Sequence, residues 1–189
     1  MRNIISFMHI SLDGFVAGPN GEMNWITINE ELFAHIGERI AATDTALYGR
    51  TTYQMMEAYW PTAADRPNAS AHDKQHSAWY GQAHKLVVSE SMKNMELPRT
   101  TFISGDLTAN LRYITEQEGS EILLFGSPST THALLQLNLI NGYWLFVNPV
   151  ILGKGIPLFP GNHPPSKLLL KQTRTFNSGV TELRYLVNG

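Results

Sequence analysis

The stretch Thr45-Ala46-Leu47-Tyr48-Gly49-Arg50-Thr51-Thr52-Tyr53-Gln54-Met55-Met56 joins a short apolar run to a helix start through one glycine. Strand, tight turn and helix in that order is the repeating unit of a parallel sheet, and no other feature constrains the chain as strongly. The first N–H groups of such a helix lack intrahelical partners and point outward at the positive end of its dipole, so the junction is an anion-binding device. Arg50, Thr51 and Thr52 add donors at the same place. Thr51 followed by Gln54 also spells a capping box, which would engage some of those donors within the helix. The junction recurs at Glu121-Ile122-Leu123-Leu124-Phe125-Gly126-Ser127-Pro128-Ser129, where Ser127 suits the N-cap and Pro128 the first helical turn. Both helix starts are expected at the carboxyl edge of one sheet, where open α/β sheets bind ligands, and two phosphate-sized sites side by side suit a dinucleotide. A Rossmann fingerprint is absent, and Gly153-Lys154-Gly155 lacks the upstream glycine and the Ser/Thr of a P-loop.

Taken in order, residues 4 to 12 are apolar nearly throughout, as a central strand covered on both faces should be. Asp13 to Asn24, with Gly14, Gly18, Pro19, Asn20 and Gly21, reads as a long loop, and such loops tend to be functional. After Trp25, Thr27-Ile28-Asn29-Glu30 starts a helix with Leu32, Phe33, Ile36 and Ile40 on one stripe. A strand and helix occupy 45 to 58, a surface excursion 61 to 71, and a short helix 72 to 83. Strands follow at 85–89 and 100–103, and Asp106 caps a helix to about Glu118. The strand at 122–125 leads to a helix at 129–138. Tyr143 to Val147 is a strand, 149 to 160 a Gly/Pro-punctuated passage, and strands near 167–176 and 180–187 flank the hairpin signal Asn177-Ser178-Gly179. The prediction is a single α/β domain over 1–189, three-layer α/β/α, with a mostly parallel central sheet and antiparallel C-terminal strands.

The formal net charge of -2 and the lack of any Lys/Arg cluster disfavour nucleic acid and acidic membranes as partners. With no cysteine there are neither disulfides nor thiolate metal sites. No run reaches the roughly 18 apolar residues of a bilayer span, no secretory signal is visible, and a soluble cytoplasmic protein is expected. His72 and His76 stand at i, i+4 spacing but lack the glutamate and third ligand of a zinc site, so they read as a solvated helix face and no metal is expected. Trp60, Trp79 and Tyr80 border the 61–71 excursion and either pack it or line a pocket.

Five segments occur in one order: Ser11-Leu12-Asp13-Gly14-Phe15-Val16-Ala17-Gly18 with Trp25; Gly49-Arg50-Thr51-Thr52; Lys85-Leu86-Val87-Val88-Ser89; Phe125-Gly126; and Asn148 through Phe159. In that order and spacing the chain resembles the dihydrofolate reductase-like superfamily, and within it the C-terminal reductase domain of the bifunctional riboflavin-biosynthesis deaminase-reductase. The resemblance implies NADPH as cofactor and hydride transfer to a pterin- or pyrimidine-like heterocycle or to a carbonyl. It implies pyrophosphate contacts from Gly49, Thr51 and Thr52, 2′-phosphate contacts from Arg50 and Ser89, and passage of Val16, Ala17 and Gly18 close to the nicotinamide. Gly126, Ser127, Pro128, Ser129 and Thr130 would cover the pyrophosphate from the other side. A small-molecule substrate and pairing as a homodimer through the C-terminal region are also implied, with Tyr143, Trp144 and Phe146 expected as exposed aromatics compatible with pairing. The chain departs from the family at Gly126-Ser127-Pro128, where consecutive glycines are common, at Glu90, where many relatives carry a basic residue, and at Asn141-Gly142.

On the substrate side, counting from Trp25 puts Glu30 where folate-type members place a carboxylate. That position implies a hydrogen bond to the substrate ring and help in delivering a proton, provided partial burial raises its pKa. The alternative is a capping box in which Glu30 turns back to the Thr27 N–H. Asn24 and Asp13 flank the same loop and either contact substrate or fix its shape. A nucleotide-binding protein of the same fold without turnover is the rival reading.

Overall fold

The N-terminal apolar run forms β1 (Ile4–Ser11) and pairs in parallel on both sides, as a strand lacking polar alternation should. The computed structural model describes residues 1–161 and 163–188. Along the chain follow β2 (Phe15–Ala17), α1 (Glu30–Ala41), β3 (Thr45–Gly49), α2 (Arg50–Ala63), α3 (Ala71–Gln82), β4 (His84–Val88), β5 (Thr100–Ile103) and α4 (Leu107–Glu116). Then come β6 (Ile122–Phe125), α5 (Pro128–Gln136), β7 (Gly142–Asn148), β8 (Ile156–Pro157), β9 (Leu168–Thr175) and β10 (Thr181–Val187). Eight strands make one sheet in the order β5-β4-β3-β6-β1-β7-β10-β9, and β10 alone runs against its neighbours. This is the mostly parallel sheet with flanking helices and an antiparallel C-terminal end that the sequence predicts.

Helices cover both faces. On one, Leu32, Ile36 and Ile40 of α1, Tyr53 of α2 and Trp79 and Tyr80 of α3 pack against Ile5, Tyr48, Phe125, Trp144 and Phe146. On the other, Leu111 of α4 and Leu134 and Leu135 of α5 pack against Ile4, Leu47, Leu86, Leu124 and Leu145. Each such apolar side chain contributes about 1.5–3 kcal/mol by leaving water, so the sheet is clamped from both sides and its carboxyl edge is held as a rigid rim.

Several expectations change. The cap of α1 is Asn29, whose Oδ1 accepts from the Leu32 N–H at 2.9 Å, so Glu30 is the first helical residue and no Thr27–Glu30 box forms. Instead the Thr27 N–H donates to Asn148 Oδ1 at 2.8 Å. Helix α2 runs through Pro61 to the fully buried Ala63, into what the sequence marks as excursion. His76 is buried and His72 stacks on Phe33 with centroids 3.8 Å apart, so these histidines do not lie on a solvated face. The reason is aromatic packing, with Trp60 3.9 Å from His76, between α1, α2 and α3. Tyr143, Trp144 and Phe146 are interior rather than exposed, because β7 lies between β1 and β10.

Candidate functional site

Strands β3 and β6 are parallel neighbours in the register Thr45↔Ile122, Ala46↔Leu123, Leu47↔Leu124, so they end together and α2 and α5 start side by side. A Cβ on Gly49 would stand 2.1 Å from Ser127 Oγ and 2.9 Å from Ser127 Cβ, and only glycine lets the two helix ends meet. Neither end is closed by a side chain. Gly49 is the N-cap of α2 and offers none, and the expected Thr51–Gln54 box does not form. Ser127, the N-cap of α5, pairs its hydroxyl with Thr130 Oγ1 at 2.8 Å instead of with the helix backbone. Gly126 and Ser127 both have positive φ, 55° and 52°. The serine thus holds a left-handed conformation that usually selects glycine.

Both helix ends open on a cleft of about 1210 Å³, larger than the roughly 300–1,000 Å³ typical of a single small-molecule site. Its wall includes Val16, Ala17, Gly49, Arg50, Thr51, Thr52, Ser89, Gly126, Ser127, Pro128, Ser129 and Thr130. The register Gly49↔Val88 sets Arg50 and Ser89 at adjoining strand ends. Arg50 makes no salt bridge among the described residues, whereas Glu90 accepts from the Gly105 N–H at 2.6 Å and ties the end of β4 to the turn before α4. Gly18 is buried just outside the cleft, and its N–H donates to Glu22 O at 2.8 Å. A cradle that a Cβ would fill and two sets of N–H groups unclaimed by capping side chains fit the anionic bridge of a dinucleotide.

The three residues assigned to the substrate lie elsewhere. Glu30 is exposed at the start of α1 and does not line the cleft, so the partial burial its proton-delivery role requires is missing. Asn24 is exposed and also outside the lining. The Asp13 carboxylate accepts from the Ser11 hydroxyl at 2.6 Å and from the Leu152 and Gly153 N–H groups at 3.1 and 2.8 Å. The Ser11 bond, opposed by slight desolvation and joined by the backbone donors, holds its pKa below the usual carboxylate value. Asp13 is thereby engaged in loop geometry. Together with the β2–β8 ribbon it braces the loop that presents Val16 and Ala17.

Sequence reasoning missed His9. It sits near the carboxyl end of β1, lines the cleft, and stacks on Phe146 with centroids 5.2 Å apart and planes 25° from parallel. Burial pushes its pKa down to about 4, so the ring is neutral at pH 7. The available signal was a lone histidine in an apolar run at a central strand's carboxyl end. The buried Asn148 side chain lies against one of its ring nitrogens. Asn148 Oδ1 accepts from the Thr27 N–H, so Nδ2 is the atom that donates to Phe146 O at 3.0 Å and Ile10 O at 3.4 Å and that faces His9 Nδ1 at 3.5 Å. Facing an amide donor suits an unprotonated Nδ1, the tautomer that carries its proton on Nε2. Trp60, Trp79 and Tyr80 do not line the cleft; they pack between helices. Among the described residues no cluster of three or more His, Cys, Asp or Glu could hold a metal ion, and no helix is long and apolar enough to cross a membrane.

Comparison with known proteins follows the same lines. The model of the family described as the RibD C-terminal domain matches residues 2–181. The uncharacterized protein YyaP of Bacillus subtilis (strain 168) is 30% identical over 191 residues, covering 100% of this chain and 96% of that one. Among solved structures, the diaminohydroxyphosphoribosylaminopyrimidine deaminase/5-amino-6-(5-phosphoribosylamino)uracil reductase of Thermotoga maritima superposes with a TM-score of 0.68 at 17% identity, over 99% of this chain and 57% of that chain. A dihydrofolate reductase from Enterococcus faecalis, complexed with NADP(H), superposes with a TM-score of 0.63 at 12% identity, over 99% and 97%. At these identities the two superpositions show a shared fold.

Proposed function

Because the chain belongs to the RibD C-terminal domain family, we propose that it is a reductase that binds NADPH and delivers hydride to a small heterocyclic, pterin- or pyrimidine-like, or carbonyl substrate. The observation that carries this reading is the pair of side-by-side helix N-termini, closed by no side chain, that meet at Gly49 and Ser127. Two proteins of the same fold support it, the Enterococcus dihydrofolate reductase complexed with NADP(H) and the Thermotoga deaminase/uracil reductase. When bound, NADPH supplies the hydride directly, and the protein supplies position, electrostatics and a closed site. The backbone N–H groups opening α2 and α5 would hold the pyrophosphate. Arg50 would meet the 2′-phosphate as an always-charged donor fork, with Ser89 beside it. Val16 and Ala17 would run along the nicotinamide, with Gly18 just behind them outside the cleft. The protein acts as a cytoplasmic homodimer in this reading.

The test is a parallel titration with NADPH and NADH, followed by tryptophan fluorescence and thermal shift. Saturable binding of NADPH, tighter than NADH by about tenfold for one charge-assisted phosphate contact, is the expected result. Binding of neither at millimolar concentration overturns the reading. A nucleotide-binding protein without turnover is favoured by Ser127-Pro128 at the second helix start and by the exposure of Glu30. Consumption of NADPH in the presence of pterin, pyrimidine and carbonyl compounds separates the two.

A further inference from the structure

Formally charged side chains line only one end of the cleft. Among the described lining residues they are Arg50 and Glu90, which follow β3 and β4 on the side away from β1. Phe7 and His9 of β1 line the cleft with Phe125 of the adjacent β6, and Met23, Ile26, Met55 and Met56 add apolar lining. Phe7 and Phe125 meet edge to face at 5.4 Å, and Phe7 lies against Trp144 at 4.6 Å, so this wall is a rigid aromatic surface backed by the core. Of the apolar lining, Met23 and Met55 are 47% and 51% exposed. Such exposure of large apolar side chains on a cleft lip is what an apolar ligand would cover, and methionine adapts its shape to one.

We infer that the β1 end of the cleft takes an uncharged, planar aromatic carbonyl compound, that His9 Nε2–H hydrogen-bonds its carbonyl oxygen, and that phosphorylated or carboxylated substrates are disfavoured there. This deepens the reductase reading and rests on it. An anion placed among these side chains would lose its hydration with no cation to replace it, which is costly. A carbonyl oxygen needs one donor, and His9 supplies it: Asn148 occupies its Nδ1 side, and stacking on Phe146 fixes the ring plane. In the reaction, hydride with its electron pair reaches the carbonyl carbon and the C=O π pair moves onto oxygen. That oxygen accepts the Nε2–H hydrogen bond as its charge develops and then takes a proton from water. The products are the alcohol and the oxidised nicotinamide. His9 keeps its own proton, because a neutral imidazole is too weak an acid to release it.

Equilibrium binding to the full chain tests the inference, with acetonaphthone, acetylnaphthoic acid, ethylnaphthalene and uridine monophosphate as probes and the NADPH isotherm measured separately. The ketone is expected to bind at least about tenfold tighter than its carboxylated analogue and than the nucleotide. His9→Leu is expected to weaken the ketone about fivefold while leaving ethylnaphthalene unchanged, since one hydrogen bond is lost and the apolar wall is kept. His9→Gln, which restores an N–H donor, is expected to recover most of that loss, and it serves as the test variant if the leucine variant does not fold. Equal or tighter binding of either anion overturns the inference, as does an equal loss for ketone and hydrocarbon in the histidine variants. Failure of NADPH to bind while the ketone preference holds would instead remove the reductase reading and leave the selectivity of the β1 end standing.

Discussion

At Gly49 a single hydrogen atom in place of a side chain decides whether two helix ends can share one ligand. Gly49→Ala would place a methyl 2.9 Å from Ser127 Cβ, an atom that cannot rotate away, so the start of α5 must shift. Overpacking of this kind costs about 1–3 kcal/mol. The expected outcome is a folded protein with a lowered thermal midpoint and NADPH affinity reduced by at least about tenfold, read by thermal shift and titration; unchanged affinity would detach Gly49 from the cofactor. That the glycine matters was legible in the sequence, because strand, glycine and helix start are a local pattern. His9 was not, since its role depends on which face of β1 it occupies and on Asn148, 139 residues away. Glu30 shows the opposite limit: counting from Trp25 gave a position but not its surroundings, in which Asn29 takes the cap and Glu30 is exposed.

Among elements, the joint between α1 and β10 depends on a buried carboxylate. Glu182 is fully buried on β10 and accepts hydrogen bonds from Trp144 and Arg184, with His35 of α1 at 3.0 Å. Burial pushes its pKa up, but the bonds from Arg184 and Trp144 and the charge of Arg184 outweigh it, and the net shift is downward. A carboxylate with a depressed folded pKa stabilises the protein above its unfolded value and loses that contribution as pH falls through the folded one. Glu182→Gln keeps the shape but leaves Arg184 without its counter-charge, and a loss of about 3 kcal/mol is expected from chemical denaturation at pH 7. Cofactor affinity should not change, because neither Glu182 nor His35 lines the cleft. Helix and strand positions were readable from periodicity and caps such as Asp106, which accepts from the Ala109 N–H as expected. Long-range polar joints such as Glu182–His35, 147 residues apart, carry no such periodic mark.

For the whole molecule, histidines whose pKa is lowered by desolvation shape the acid side of the stability curve, His9 and His76 with the largest shifts. Burial pushes His9 down to about 4 and His76 down to about 3, the latter opposed by Asp73 and aided by His72. Above the ordinary histidine pKa both residues are neutral folded and unfolded, and their contribution is full. As pH falls from about 6.5 to 4 the unfolded chain takes up protons that the folded one refuses, so stability drops by up to about 1.4 kcal/mol per pH unit for each histidine. Denaturant midpoints across that range should show the slope, and His76→Phe should reduce it.

A second copy of this chain is expected to pair at the edge of the sheet. All eight residues of β9 are exposed, including Leu168, Leu169 and Leu170 at 38%, 48% and 48%, and β9 pairs only with β10. An exposed edge strand is a template for another strand, and charged residues blunt it; β9 carries Lys171 and Arg174 in its second half but leaves Leu168, Leu169 and Leu170 uncharged at its start. The opposite edge, β5, is only four residues long. A second copy of this chain seated on β9 would cover the three leucines and account for a pairing surface that the interior Tyr143, Trp144 and Phe146 do not supply. Sedimentation velocity at micromolar concentration should show twice the 21.2 kDa chain mass. Replacing Leu168 and Leu170, which share one face of the strand, with lysine should give a monomer whose NADPH affinity is unchanged, because β9 lies three strands from β1 and outside the cleft. A wild-type chain that sediments as a monomer would assign the leucine edge to something other than a second copy.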